Sequence, residues 1–168
     1  MKPIIYSVLT RLWGNPLTTR RAHGTLSENG SGKLSAFTSE ALSYIKSLGA
    51  THVWYIGLLE HATKTDYSAY GIRPDHPDTV KGQAGSPYAV KDYYDIDPDL
   101  VDDPRERQRE FDALVSRTHE AGLKVMMDFI PNHVARCYGS DACPLGTEDL
   151  GAGDKTSEAF SLRNNFYY

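Results

Sequence analysis

Residues 124–133 read Lys124-Val125-Met126-Met127-Asp128-Phe129-Ile130-Pro131-Asn132-His133. The run from Lys124 to Ile130 is mostly apolar and has no helical period, so it reads as a buried strand that runs into Pro131. Side chains alternate along a strand. Asp128, Ile130 and Asn132 therefore share one direction, and the turn at Pro131 re-aims His133. A carboxylate, an amide and an imidazole converge at one strand end. On residue types alone they are either a polar network that holds the next loop or one rim of a site.

Outward from this strand the chain alternates. Just upstream, Asp103-Pro104-Arg105-Glu106 supplies an N-cap, a proline at N1 and a glutamate at N3, which starts a helix. Phe111, Leu114, Val115 and Thr118 give it a buried stripe, and Gly122 ends it. Farther back, Ala41, Tyr44, Ile45 and Leu48 fall on one helical face closed by Gly49, and a strand follows from Thr51 to Leu59. The first strand spans Ile4 to Leu12, followed by a Gly- and Ser-rich loop from Gly24 to Gly32. Between about Glu60 and Asp102 there is no period, only Pro74, Pro77, Pro87 and Pro98 among many Asp and Tyr. So long a loop with that aromatic content reads as functional. The order is β-α-β, long loop, α-β, which predicts parallel strands.

Such alternation builds an open doubly wound sheet or a (β/α)8 barrel. A dinucleotide sheet calls for a glycine-rich turn after the first strand, and Trp13-Gly14-Asn15-Pro16 is not one; no phosphate-binding GxxxxGK[ST] occurs either. In a barrel, chemistry sits at the C-terminal ends of the strands, where the polar residues here cluster.

Composition narrows the ligand class. The 168 residues are 40% hydrophobic and 24% charged, with 22 acidic against 18 basic residues and a formal net charge of -4. No single-sign run offers a footprint for nucleic acid or an anionic membrane, and a neutral ligand fits better. The 11 tyrosines suit sugar binding, because flat rings stack on the apolar faces of pyranoses. No stretch approaches the roughly 18 apolar residues of a membrane span, so the chain reads as soluble, with its compartment open. Cys137 and Cys143 either bridge a loop or stand as free thiols.

With its surroundings, the strand-end string resembles the first conserved region of the alpha-amylase family, glycoside hydrolase family 13, which has the form Asp-x-x-x-Asn-His. His119 and Ala121-Gly122-Leu123-Lys124-Val125 are similar to the family's lead-in to that region. Ser86-Pro87-Tyr88-Ala89-Val90-Lys91-Asp92-Tyr93-Tyr94-Asp95-Ile96-Asp97-Pro98 resembles the segment after the second barrel strand, with Pro87 where glycine is usual. Trp54, in Gly49-Ala50-Thr51-His52-Val53-Trp54, matches the second strand itself.

The resemblance implies an α/β fold: the N-terminal portion of a TIM (β/α)8 barrel, with its first three strands and two helices. Residues 1–133 would be the first part of the barrel, and 134–168 the start of a loop-rich domain inserted after strand three. It implies that Tyr88 stacks under the sugar at the cleavage subsite and that His133 hydrogen-bonds the 6-hydroxyl of that sugar. Asn132 is implied as a ligand of structural calcium, and Asp128 and Asp92 as supports. Asp92 is expected to anchor the tyrosine-bearing loop. The expected partner is an alpha-glucan or maltooligosaccharide, cleaved with retention; transfer to another sugar, as in a trehalose synthase, or binding without cleavage are the alternatives. The family's nucleophile and acid/base lie on later strands, so both are expected beyond Tyr168, leaving the chain a truncated and inactive form.

Overall fold

The computed structural model describes residues 2–168. Three parallel strands, β1 (Ile5–Leu9), β2 (His52–Ile56) and β5 (Lys124–Met127), form one sheet in the order β1-β2-β5. Ile5 pairs with His52, which pairs with Lys124, and Ser7 aligns with Trp54 and Met126. Strand alternation then sends Val8, Val53 and Tyr55 into the core, where they meet Leu34, Phe37, Leu42, Ile45 and Leu114. Those partners come from the turn over residues 34–37 and from helices α2 (Ser39–Ser47) and α3 (Arg107–Glu120). Helices thus cover one face of the sheet, and Trp54 and Met126 lie on the other. Trp13 stacks on Phe37 with ring centroids 5.2 Å apart, and Phe37 meets Tyr55 edge-on at 4.9 Å. Thr118 Oγ1 donates to Leu114 O, so Tyr55 OH must be the donor in its 2.7 Å bond to Thr118.

Several expected boundaries move. β1 stops at Leu9, and Thr10–Leu12 form a 3-10 turn closed by Trp13 N donating to Thr10 O. The expected strand 51–59 breaks at Gly57, whose φ of +80° belongs to no strand; Leu59–His61 then form a separate strand, β3. On α2, Leu42 and Ile45 are buried, while Tyr44 and Leu48 are 59% and 54% exposed. Its core-facing stripe is therefore rotated toward Leu42. Ahead of α3, Asp103 caps a 3-10 turn over Pro104–Glu106 by accepting from Arg105 N. The glutamate that caps backbone there is Glu110, which accepts from Asp102 N and Asp103 N. β5 ends at Met127, three residues short of Ile130: its last pair is with Tyr55, and the next residue, Asp128, turns its carboxylate to Trp54 Nε1 and Gly57 N. In the Gly- and Ser-rich loop, Thr25 and Glu28 form a capping box that starts the one-turn helix α1 (Leu26–Asn29).

The long loop is not structureless. β3 pairs antiparallel with β4 (Val90–Ile96). Charge is buried along this ribbon. Arg107 grips both oxygens of Asp95 at 2.6 Å, and Lys91 Nζ lies 3.3 Å from Glu60 Oε1 and 3.6 Å from Asp75 Oδ1. Burial pushes Glu60 up to about 7 against the pull of Lys91, and it also raises Asp97, which His61 faces at 3.3 Å.

Residues 134–168 contain turns and bends without helix or strand. Their first part docks on β4, where Ala135 N donates to Val90 O and Gly139 N to Lys91 O. Cys137 and Cys143 are both free: Cys137 donates to Asp75 Oδ1 and Cys143 to Thr147 O. The loop-closing bridge is therefore not the outcome, since Asp75 and a backbone carbonyl already engage the two thiols. Among the described residues no helix is long and apolar enough to cross a membrane.

Candidate active site

The site grows from the C-terminal ends of β2 and β5. Asp128, the first residue past β5, accepts from Trp54 Nε1 through Oδ1 and from Gly57 N through Oδ2, both at 2.8 Å. One carboxylate thereby fixes the exits of two neighbouring strands. At Gly57 an added Cβ would lie 2.7 Å from Pro87 Cβ, so the missing side chain lets the Ser86–Tyr88 turn come against the strand end. That turn is closed by Ala89 N donating to Ser86 O, and it leaves Tyr88 exposed.

Asn132 and His133 are exposed on the strand exit, with Asn132 Nδ2 and His133 Nδ1 3.4 Å apart. Both line a cleft of about 430 Å³ whose walls include Tyr93, Phe129, Tyr138 and Phe166. The rings form a chain: Tyr93 lies 5.9 Å from Phe129 and 5.7 Å from Tyr138, and Tyr138 lies 5.7 Å from Phe166. Tyr93 OH also donates to Ile130 O, which ties this wall to the strand exit. Tyr88 stands outside the lining of this cleft. An imidazole and an amide at the rim of an aromatic trough can stack a ring and hydrogen-bond its hydroxyls. No aspartate or glutamate lines it, whereas double displacement at a glycosidic bond needs two carboxyls about 5 Å apart.

Asp92 is placed differently from expectation. Its Oδ1 accepts from Tyr94 N, and its Oδ2 accepts from Ser140 Oγ, Asp141 N and Ala142 N at 2.6–3.1 Å. The loop it holds is 140–142, not the turn that bears Tyr88, because those three donors take up its free oxygen. Arg73 reinforces this dock through Asp141. Tyr138, two residues before Ser140, is a wall of the cleft.

Calcium on Asn132 does not fit the described residues. Asn132 brings one exposed amide oxygen, its side chain contacts His133, and the cleft it lines supplies no carboxylate. A hard cation of this size wants six to eight oxygen ligands. Among the described residues, the one group of His, Cys, Asp or Glu side chains close enough to hold an ion is Glu60, Asp92 and Asp95. Sequence reading passed over Glu60, which looks like a loop residue, although an acid next to a strand opposite a lysine was the available signal.

The family model "Alpha amylase, catalytic domain" matches residues 20–140. Maltase 1 of Drosophila virilis is 30% identical over 105 residues, which is 62% of this chain and 12% of that protein. The amino acid transporter heavy chain SLC3A1 of Rattus norvegicus is 29% identical over 108 residues, 64% of this chain and again 12% of that protein. Among solved structures, an alpha-amylase from Lactobacillus plantarum superposes with a TM-score of 0.54 at 28% identity, covering 81% of this chain and 24% of that one. The chain therefore spans only about an eighth of these curated relatives and a quarter of that structure. With an α/β sheet that superposes on an alpha-amylase and a family model over residues 20–140, the chain belongs to the alpha-amylase catalytic-domain family.

Proposed function

We propose that this chain supplies the sugar-binding rim of an alpha-amylase-type glycoside hydrolase that acts, as a complete protein, on the alpha-glucosidic bonds of starch or maltodextrin with retention. The observation that carries this reading is the aromatic cleft at the exit of β5 with His133 at its rim. In this reading residues 1–133 are the first part of a (β/α)8 barrel and 134–168 begin the inserted domain. His133 hydrogen-bonds the 6-hydroxyl of the bound sugar better as the ring distorts toward the transition state, and Tyr88, exposed on the 86–88 turn outside the lining of this cleft, stacks on the sugar only where the ligand extends past the cleft. Asp128 keeps the strand exits in place through Trp54 and Gly57.

The nucleophile and acid/base are contributed by residues other than those lining this cleft, and the proposal puts them beyond Tyr168. A second reading, sugar binding without cleavage, is favoured by the absence of carboxylates from the cleft. One experiment separates the two. The 168-residue chain and the complete gene product are assayed side by side on starch and on a chromogenic maltoside. Turnover by the complete product alone supports the hydrolase reading. Maltooligosaccharide binding without turnover by either supports the second reading, and turnover by the short chain overturns the assignment of the carboxylates.

A further inference from the structure

A second cavity, of about 630 Å³, adjoins the aromatic cleft. The two share Val134, Tyr138, Leu150 and Phe166 in their linings, so they meet at the Tyr138–Phe166 ring pair. His133 stands on the cleft side of that pair, and the second cavity adds Arg136, Asp149 and Tyr167. Both volumes fall in the roughly 300–1,000 Å³ range in which proteins hold small ligands.

The shared rings are held in place before any ligand arrives. Residues 134–168 have no helix or strand to do this, and three carboxylates do it instead. Asp149 accepts from Tyr138 OH at 2.9 Å and from Ser140 N at 2.8 Å, while Asp92 fixes residues 140–142. Asp154 accepts from Asn165 N and Phe166 N at 2.8–2.9 Å. At Gly151 an added Cβ would stand 2.4 Å from the Phe166 ring, so the bare backbone lets that ring lie against it. Rings pinned this firmly in an irregular surface segment suit recognition, because little ordering is left to pay for on binding.

The chemistry of the second lining matches a neutral sugar. Its one cation, Arg136, and its one anion, Asp149, leave no net charge to select an ionic ligand. Arg136 is exposed and, among the described residues, has no hydrogen-bond or ion-pair partner, so its guanidinium donors are free. Asp149 Oδ2 accepts from Ser140 N and keeps a lone pair for one more donor. The Tyr167 ring is 82% exposed. Flat faces beside free donors and an acceptor suit a pyranose, which has apolar ring faces and hydroxyls that both give and take hydrogen bonds.

On the glucan reading of the cleft, on which this rests, we propose that the second cavity binds further glucosyl units of the chain whose first sugar lies by His133. The protein thereby selects long maltooligosaccharides over short ones, and Arg136 and Tyr167 set that preference.

The test measures binding and turnover separately in the complete protein, with maltose and maltoheptaose. Binding is read by calorimetry in the cold, and turnover by release of new reducing ends. Wild type is expected to bind maltoheptaose at least tenfold more tightly than maltose. Arg136→Ala and Tyr167→Ala, both at exposed positions, are each expected to shrink that ratio at least threefold with an unchanged circular-dichroism spectrum. His133→Ala is expected to weaken both sugars alike and keep the ratio. A wild-type ratio near one overturns the proposal, as does a ratio that either variant leaves intact, or no binding of either sugar. Binding with the expected ratios but no turnover upholds the second cavity and fails only the hydrolase reading, whereas turnover with a ratio near one does the reverse.

Discussion

Asp128 reaches from the third parallel strand to the second and accepts a hydrogen bond from the indole of Trp54 at 2.8 Å. The same carboxylate holds Gly57 N. Charge-assisted bonds to partly buried groups contribute more than neutral ones, so Asp128→Ala is expected to lower unfolding free energy by about 1.5–3 kcal/mol. Trp54→Phe leaves the bond to Gly57 intact and should cost less. Urea denaturation of the two single variants and the double variant checks this: purely additive losses would mean that the two side chains do not act through one bond.

The Arg107–Asp95 pair is bidentate, and Asp95 is almost fully buried. Removing only the arginine leaves a buried anion, so Arg107→Ala should destabilise by about 3–5 kcal/mol. Arg107→Lys replaces a fork with a single point charge and should recover only part of that loss. Thermal melts of the three proteins at one pH suffice, and a harmless Arg107→Ala would place Asp95 in contact with water.

Gly57 combines a φ of +80° with Pro87 at its α-carbon. Gly57→Ala meets both obstacles, backbone strain and a 2.7 Å contact, and is expected to cost about 1–3 kcal/mol. Adding Pro87→Gly should return the steric part and leave the backbone part. Equal stability of the single and double variants would show that Pro87 does not press on the strand end.

In the complete protein, His133→Ala is expected to reduce turnover of maltooligosaccharides by roughly tenfold or more with the fold intact, a loss of about 1.4 kcal/mol in transition-state binding. Unchanged turnover removes His133 from the site. Phe129→Ala, on the same wall, should weaken binding more than it slows turnover.

Burial and then the neighbouring Asp75 push the Cys137 thiol from 9.0 up to about 11. The folded value lies above the unfolded one, so this contribution to stability is complete below pH 9 and lost as pH rises toward 11. Because the thiolate is the nucleophile, Cys137 should react with iodoacetamide more slowly at pH 8 than it does in the unfolded chain. Peptide mass spectrometry under native and denaturing conditions measures both rates, and equal rates would contradict the burial.

The parallel sheet was legible because β1, β2 and β5 are apolar runs spaced by helix signals such as Asp103-Pro104 and Gly49. The ribbon β3–β4 was not, because Glu60, Lys91, Asp92 and Asp95 are charged and so read as loop. Only the fold shows that Lys91, Arg107 and the donors at 140–142 meet those charges. Gly57 misled in the opposite direction: apolar residues on either side hid a left-handed turn that split one expected strand into two. At the site, Asp128, Asn132 and His133 were visible as residues of a strand exit, but their destinations were not: Asp128 turns to Trp54 and Gly57, while Asn132 and His133 line the cleft. The destination of Asp92 was hidden, because its donors lie 48–50 residues later in the chain.

The docking of residues 135–139 on β4 has a consequence for how the molecule is made. Val90 O and Lys91 O receive their donors from Ala135 and Gly139, so that edge of the ribbon has open acceptors until about fifty further residues have emerged. Bare strand edges invite pairing between chains. Charged side chains on a strand oppose such pairing, and Lys91, Asp92 and Asp95 all stand on this one.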